Sequence, residues 1–460
     1  MLPLGLLVYP YLVILLSTKL KKFTKFQYFS FGYFYGLGFL IIYLIWIRNP
    51  FLVNETTKSY QFFFILLPMF LSIFYGIFFI IYTYFNSRKF LILLTPLIFF
   101  LVEFAISNFF YGFPWVSNSL ILSNNYFGLI LIKFFGSLTS GFLIILILLT
   151  PIFLIDKNNF IQTRKSILFI YFPFLMVLIL FTNLSVKEPL KKIITIDVHQ
   201  IMSPVNARNH KSIEEEISDL INNSDKDFIL FAENNFPYIL EDNNFENISF
   251  LRDNDKTVII GATSFKNKNF YNSFFLFENN LVKSFDKKIL VPFGEFLPLR
   301  KYLKFMEEIA GKFDFEKGNA ERVIKTNDNI YILPIICYEI VFDNIFHKIN
   351  ENKIDLLINI TNDVWFGEKI GPYQHFYISR TKSLIANKPL VRVSNNGISA
   401  IIDNNGKIIK SSQLNQKTNF THSLEILSTK SFNKYHYIFN SYLFLLLVLF
   451  VFSRKKNYEF

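Results

Sequence analysis

The sequence carries one cysteine in 460 residues, which excludes an intramolecular disulfide and removes any redox-compartment signal. It has no HExxH, no CxxC and no phosphate-binding glycine loop. Metal and nucleotide chemistry therefore have no support, and no metal or other cofactor is expected. None of the six histidines is placed as the partner of a papain-type thiol. Residues 2–17 lack the basic leader and small-residue cleavage site of a signal peptide. What abounds is apolar: 52% of residues are hydrophobic and 59 are phenylalanine, too many for an ordinary soluble enzyme.

These apolar residues crowd into 1–183 and a tail at 437–453, leaving 187–435 with the pattern of a soluble α/β domain. A membrane span needs about 20 apolar residues. Candidates lie near 2–17, 28–47, 61–84, 90–110, 127–155, 167–184 and 437–453, two of them short. The expected division is a membrane domain over 1–186 with about six helices, a catalytic domain over 187–435, and a last helix with a basic tail over 436–460.

The net charge of +12 sorts by loop. Lys19, Lys21, Lys22, Lys25, Arg88, Lys89, Lys157, Arg164, Lys165, Arg454, Lys455 and Lys456 fall on one side of the spans, and Arg48 and Lys58 on the other. By the positive-inside rule this puts the N-terminus and all of 187–435 outside the cytoplasm. The basic excess is a topology signal, and nucleic acid is not an expected partner. Glu103, inside the fourth span, is either a functional group or a hydrogen-bond acceptor for a neighbouring helix. The aromatic loop Gly112-Phe-Pro-Trp115 suits an interfacial anchor.

Within the soluble part, strands are expected at 193–199, 228–231, 258–264 and 272–277, with Lys287–Phe296 continuing the series. Further strands follow at 332–337, 356–360, 390–394 and 399–402, and a helix spans 213–221. The alternation predicts an α/β sandwich whose site lies at the strand ends. Cys337 closes the apolar run Ile332-Leu-Pro-Ile-Ile-Cys337, where a buried packing role is the ordinary expectation for a lone thiol. Two other strand ends change that reading. Glu233 and Lys287 precede Cys337 at spacings of 54 and 50 residues. A thiol becomes nucleophilic as thiolate and needs a base and a positive neighbour. Glu233 can take the proton, and Lys287 can hold the charge of a tetrahedral intermediate beside a backbone N–H near Cys337 or Tyr338.

Glu, Lys and Cys in this order at strand ends resemble the nitrilase (carbon–nitrogen hydrolase) superfamily. Longer segments sharpen the resemblance to the apolipoprotein N-acyltransferase family within it. They are Leu290-Val-Pro-Phe-Gly-Glu-Phe-Leu-Pro298, Cys337-Tyr-Glu339, Thr361-Asn-Asp-Val-Trp-Phe-Gly367, Gly371-Pro-Tyr-Gln-His375, Ser394-Asn-Asn-Gly-Ile398 and Gly112-Phe-Pro-Trp115. The resemblance implies a multi-span α-helical membrane bundle joined to an αββα sandwich of nitrilase type. It also implies Glu233 as general base, Lys287 as oxyanion stabiliser and Cys337 as nucleophile. The lysine is Lys287 rather than Lys288 because it stands eight residues before Glu295, which orients it or the bound acyl group. Tyr338 and Glu339 flank the nucleophile. Asn362, Asp363 and Trp365 form either part of the site or a turn with a packed aromatic, and Trp365 with Phe366 could line a lipid entrance.

The chain departs from the family pattern in two places. Seven spans are counted where eight are usual, and Gln200-Ile-Met-Ser-Pro-Val-Asn-Ala-Arg208 lacks the usual Gln-Gly pair and tryptophan. The implied reaction moves an acyl chain from a membrane phospholipid through a cysteine thioester to the α-amine of a diacylglyceryl apolipoprotein. The implied setting is the bacterial inner membrane, multi-pass, with the catalytic domain on the periplasmic side and the protein a monomer. A membrane-tethered amidase using the same triad is the alternative, and a non-catalytic scaffold a third.

Overall fold

The computed structural model describes residues 2–85, 88–155, 189–204, 209–241, 248–252, 255–347, 354–430 and 433–455, with residues 172, 175 and 179 as isolated positions. The chain separates into two compact units. One comprises 1–43, 65–187 and 432–460, and the other 44–64 and 188–431.

The first unit is helical. Its described helices include Leu2–Thr18, Lys25–Tyr43, Leu66–Phe79, Arg88–Asn108, Tyr126–Ile155 and Asn433–Lys455. Helix Tyr126–Ile155 is broken at Gly136, whose φ of 73° no helix residue adopts. Over the chain as a whole, three described helices are long and apolar enough to cross a membrane: Glu55–Tyr84, Phe90–Asn108 and Tyr126–Ile152. The expected span at 167–184 lies outside the described residues apart from those three isolated positions. Leu97, Phe100, Phe135, Phe142, Phe439 and Leu443 share one core, so the tail helix packs with the earlier ones. Glu103 is buried and accepts from Ser117 Oγ at 2.8 Å and from Asn118 N and Nδ2 at 3.0 and 2.8 Å. Of its two expected roles, this geometry is the hydrogen-bonding one, and it ties the loop after Trp115 to the helix.

The second unit has thirteen strands among the described residues. They are β1 (Leu190–Gln200), β2 (Phe228–Leu230), β3 (Leu240–Glu241), β4 (Thr257–Lys266), β5 (Asn269–Glu278), β6 (Leu281–Asp286), β7 (Ile324–Lys325), β8 (Tyr331–Ile336), β9 (Leu356–Thr361), β10 (Leu390–Ser394), β11 (Ala400–Ile402), β12 (Ile408–Ser411) and β13 (Thr418–Leu427). One sheet runs β13-β1-β2-β4-β5-β6, with β3 beside β4, and the other runs β12-β11-β10-β9-β8-β7. The central pairings β1–β2, β2–β4, β8–β9 and β9–β10 are parallel. Strands buried on both faces carry unbroken apolar runs rather than alternation, as Phe228-Ile-Leu230 and Leu356-Leu-Ile358 do.

Each sheet carries a helix. His210–Asn223 lays Ile217 and Ile221 on Ile229, Phe231, Val258 and Ile260. It begins three residues before the expected start, because Asn209 caps it by accepting from Ser212 N. Ile370–Ala386 lies along β10. Two helices outside two sheets make the αββα sandwich the motifs implied. One element differs: residues 287–296 form no strand, only turns and an isolated Pro292–Phe296 bridge. Pro292 lacks a donor and Phe293 sits at a φ of 64°, so no ladder can continue.

Candidate active site

β8 delivers Cys337 to its C-terminal tip, where the chain turns into the short helix Cys337–Val341. Cys337 has a φ of 49°, a left-handed conformation that costs a non-glycine residue of order 1–3 kcal/mol. Glu339 helps hold the turn. Its carboxylate accepts from Ile336 N at 3.0 Å, Lys288 N at 2.9 Å and Ile289 N at 3.1 Å. It also forms a two-pronged pair with Arg322, NH1–Oε2 at 2.8 Å and NH2–Oε1 at 2.6 Å. One buried side chain thus joins the nucleophile turn to the lysine-bearing loop.

Glu233 follows β2, close enough to the Cys337 thiol for its carboxylate to raise it. Glu233 Oε1 accepts from Asn272 Nδ2 at 2.7 Å and Oε2 from Asn362 N at 2.8 Å. Lys287 continues from β6 and donates to Glu295 Oε1 at 2.8 Å, with Glu233 Oε1 3.8 Å away. Glu295 is itself fixed by Val291 N at 2.8 Å and Asn272 Nδ2 at 2.8 Å. Thr361, at the end of β9, adjoins the thiol and donates from Oγ1 to Asp363 Oδ1 at 3.0 Å. The structure therefore brings Glu233, Lys287, Glu295 and Cys337 into one buried cluster, with Tyr338 and Glu339 adjoining it. Tyr338 packs edge-on against Phe342, and Trp365 is half-buried on the loop after β9.

The electrostatics follow from burial and charge balance. Burial pushes the Cys337 thiol well above its usual range, and the Glu233 carboxylate pushes further than Lys287 can offset. The resting group is a neutral thiol. Burial also raises the Glu233 carboxyl, against the pull of Lys287. Burial alone would lower Lys287, but Glu295 and Glu233 outweigh it and keep the ammonium charged. The arrangement suits a thiol that loses its proton to a basic carboxylate as it attacks, with a fixed cation beside the developing charge.

Asn272 and Arg392 were given no role in the sequence reading. Asn272 bridges the two carboxylates, and its own buried Oδ1 has no partner among the described residues. Its signal was a single amide heading the apolar run Ser-Phe-Phe-Leu-Phe277. Behind the loop after β9, Asp363 accepts from Arg392 NH2 at 2.7 Å and lies 2.9 Å from His375 Nδ1. Arg392 also donates to Asn359 Oδ1 at 2.5 Å and Ser379 Oγ at 3.0 Å. Burial would raise Asp363, but Arg392 and His375 hold it below the usual carboxylate range. Burial and Arg392 keep His375 low and neutral. An arginine interrupting the apolar strand Leu390-Val-Arg-Val was the available signal.

Two family models match the chain. Residues 240–430 match the carbon–nitrogen hydrolase family model, and residues 1–150 match the apolipoprotein N-acyltransferase N-terminal domain. An apolipoprotein N-acyltransferase from Rickettsia bellii is 30% identical over 84% of this chain and 80% of its own length. One from Rickettsia typhi is 40% identical over 37% of this chain, a match spanning 36% of that relative. Among solved structures, a CN-hydrolase superfamily protein from Xanthomonas campestris is 13% identical, covering 51% of this chain and 91% of that one, with a TM-score of 0.41.

Proposed function

The chain belongs to the apolipoprotein N-acyltransferase family, and we propose that it carries out N-acylation of lipoproteins from a phospholipid donor. Glu233 takes the Cys337 proton as sulfur attacks the ester carbonyl of a membrane phospholipid. Lys287 balances the oxyanion, and Glu233 returns the proton to the departing alkoxide, releasing a lysophospholipid and leaving a thioester. The α-amine of an N-terminal diacylglyceryl-cysteine then attacks. Glu233 accepts its proton, and collapse of the intermediate gives the amide and returns the thiol. The observation that carries this reading is the burial of Cys337, Glu233 and Lys287 together, with the Lys287 ammonium 3.8 Å from the Glu233 carboxylate and both charges acting on the thiol.

The setting we propose is the bacterial inner membrane, with 188–431 on the periplasmic side. The loop charges support it, and so does the packing of 44–64 with 188–431 in one unit, since both then lie on one face of the membrane. Both substrates are lipid-anchored and would reach the site by lateral diffusion.

Intact mass spectrometry after incubation with phospholipid tests the reaction. A fatty-acyl mass on the wild type, absent from Cys337→Ala and removed by a diacylglyceryl-cysteine peptide, is expected. No adduct with any phospholipid would overturn the reading.

A further inference from the structure

Residues 44–64 lie between two apolar helices in the sequence, yet they pack with the catalytic sandwich. Their contacts fall on the loop after β9 and the helix that follows it, and Tyr60 donates to Glu308 Oε2 at 2.7 Å. Trp46 is buried and donates from Nε1 to Gln374 Oε1 at 2.9 Å. Its ring meets that of Phe366 edge-on at 4.9 Å, and Phe366 meets His375 in the same way at 4.9 Å. Asn49 Nδ2 donates to the Phe366 carbonyl at 2.9 Å.

Two glycines make this approach possible. A Cβ at Gly367 would stand 2.2 Å from Asn49 Nδ2, and one at Gly371 would stand 3.0 Å from Trp46 Cγ and 2.6 Å from the Phe366 carbonyl. The loop they hold is the one that reaches the reacting groups. Its Asn362 N–H donates to Glu233 Oε2 at 2.8 Å, and Thr361 at its start adjoins the thiol while donating to Asp363 Oδ1 at 3.0 Å. From beneath, Asp363 is fastened to Arg392 and His375. At Phe366, the Asn49 amide and the Trp46 ring fasten it from outside.

We infer that Trp46 and Asn49 are positioning residues for the acyl transfer: as a strap over Phe366 they fix the loop that aims the Asn362 N–H at Glu233 and keeps Thr361 beside Cys337. The inference rests on the proposed function, because it takes Glu233 and Cys337 as the reacting pair. Neither strap residue touches the reacting atoms. Their effect runs through geometry, where a displacement of about 1 Å can cost on the order of 10²-fold in rate. It also assigns a catalytic duty to a stretch far outside the carbon–nitrogen hydrolase match at 240–430.

The test uses the full-length enzyme and the time course of Cys337 acylation by phospholipid, read by mass spectrometry. Asn49→Ala removes one hydrogen bond and little volume. The acylation rate constant is expected to fall about 10-fold. The final acylated fraction, the apparent KM for phospholipid within twofold, and the melting temperature are expected to hold. Trp46→Phe, which keeps a ring against Phe366, should retain most of the rate that Trp46→Ala loses. A purely structural role predicts the reverse: a smaller acylated fraction and a lower melting temperature at an unchanged rate constant. That pattern, or an Asn49→Ala rate within twofold of wild type, overturns the strap alone. A wild type that never acylates overturns the proposed function and the strap with it.

Discussion

The Lys287 ammonium lies 2.8 Å from Glu295 and 3.8 Å from Glu233, so the nearer carboxylate is not the one that acts on the thiol. The difference separates two tasks that one carboxylate would perform badly. Glu295, held by Val291 N and Asn272, anchors the cation. Glu233 keeps its basicity for the Cys337 proton.

Glu295→Gln therefore does more than delete a charge. With the anchor neutral, the ammonium is drawn toward Glu233, lowers its basicity and leaves the place where the oxyanion forms. Acylation of Cys337 should slow on the order of 10²-fold, the usual worth of a charge-stabilising donor. Quenched-flow mass spectrometry with phospholipid would measure this. A rate within threefold of wild type would show that Lys287 needs no anchor.

The raised Glu233 carboxyl has two pH signatures of opposite sign. For catalysis, Glu233 must be ionised to act as base, so the acid limb of the acylation rate should lie above the 4.5 of an ordinary glutamate. For stability, a folded value above the unfolded one favours the native state only while the group is protonated. That advantage is full below about 4.5 and is lost as pH rises through the folded value. Glu233→Gln should thus melt higher than wild type at neutral pH while acylating at least about 10²-fold more slowly. The melting difference should shrink as pH falls toward 4.5. A variant less stable than wild type at neutral pH would contradict the direction given for Glu233.

The reading of the sequence was best where chemistry and burial coincide. Cys337 and Glu233 each end an apolar run at a strand tip, Lys287 follows the mixed strand β6, and the fold brings all three together. The run Lys287–Phe296 was less legible, because Pro292, Gly294 and the Glu295–Val291 hydrogen bond override its β-branched residues. Arg322, Asn272 and Arg392 carried no local signal of partnership. Their partners lie 17, 39 and 29 residues away, at Glu339, Glu233 and Asp363, and only the closed sandwich brings them into contact. The association of 44–64 with the sandwich was equally invisible, since loop charge can place a segment on a side of the membrane but not on a partner.

The Arg322–Glu339 pair lies almost wholly out of water, so breaking it and replacing it should differ sharply. Arg322→Met alone strands a carboxylate, although three backbone N–H groups still hold it. A loss of about 3–5 kcal/mol is expected, as for other broken buried pairs. Burial raises the Glu339 carboxyl, but Arg322 outweighs burial and holds it below its usual value. Its stabilising contribution is therefore present above the unfolded value and lost as pH falls through the folded one. Arg322→Met should flatten that acid dependence. Denaturant titration from pH 7 down to about pH 3 would show both effects, and a variant as stable as wild type throughout would mean the pair is neutral to the fold.

The fate of the thioester separates acyl transfer from hydrolysis on the same triad. Cys337, Lys287 and Glu233 are 5%, 1% and 5% exposed, so little room remains for bulk water beside the acyl sulfur. Glu233 serves as base for whichever nucleophile enters, which makes access, rather than basicity, the selecting step. An acyl-enzyme made with phospholipid and freed of excess lipid should persist at least about ten times longer in buffer than with a diacylglyceryl-cysteine peptide. The attacking α-amine must be uncharged, and its reference pKa is near 8. Discharge by the peptide should therefore rise between about pH 6 and 8, while discharge in buffer stays nearly flat. Timed mass spectra of the purified adduct give both rates. Clearance by water as fast as by peptide would identify a hydrolase held in a membrane, because a site that cannot exclude water cannot save its acyl group for an amine.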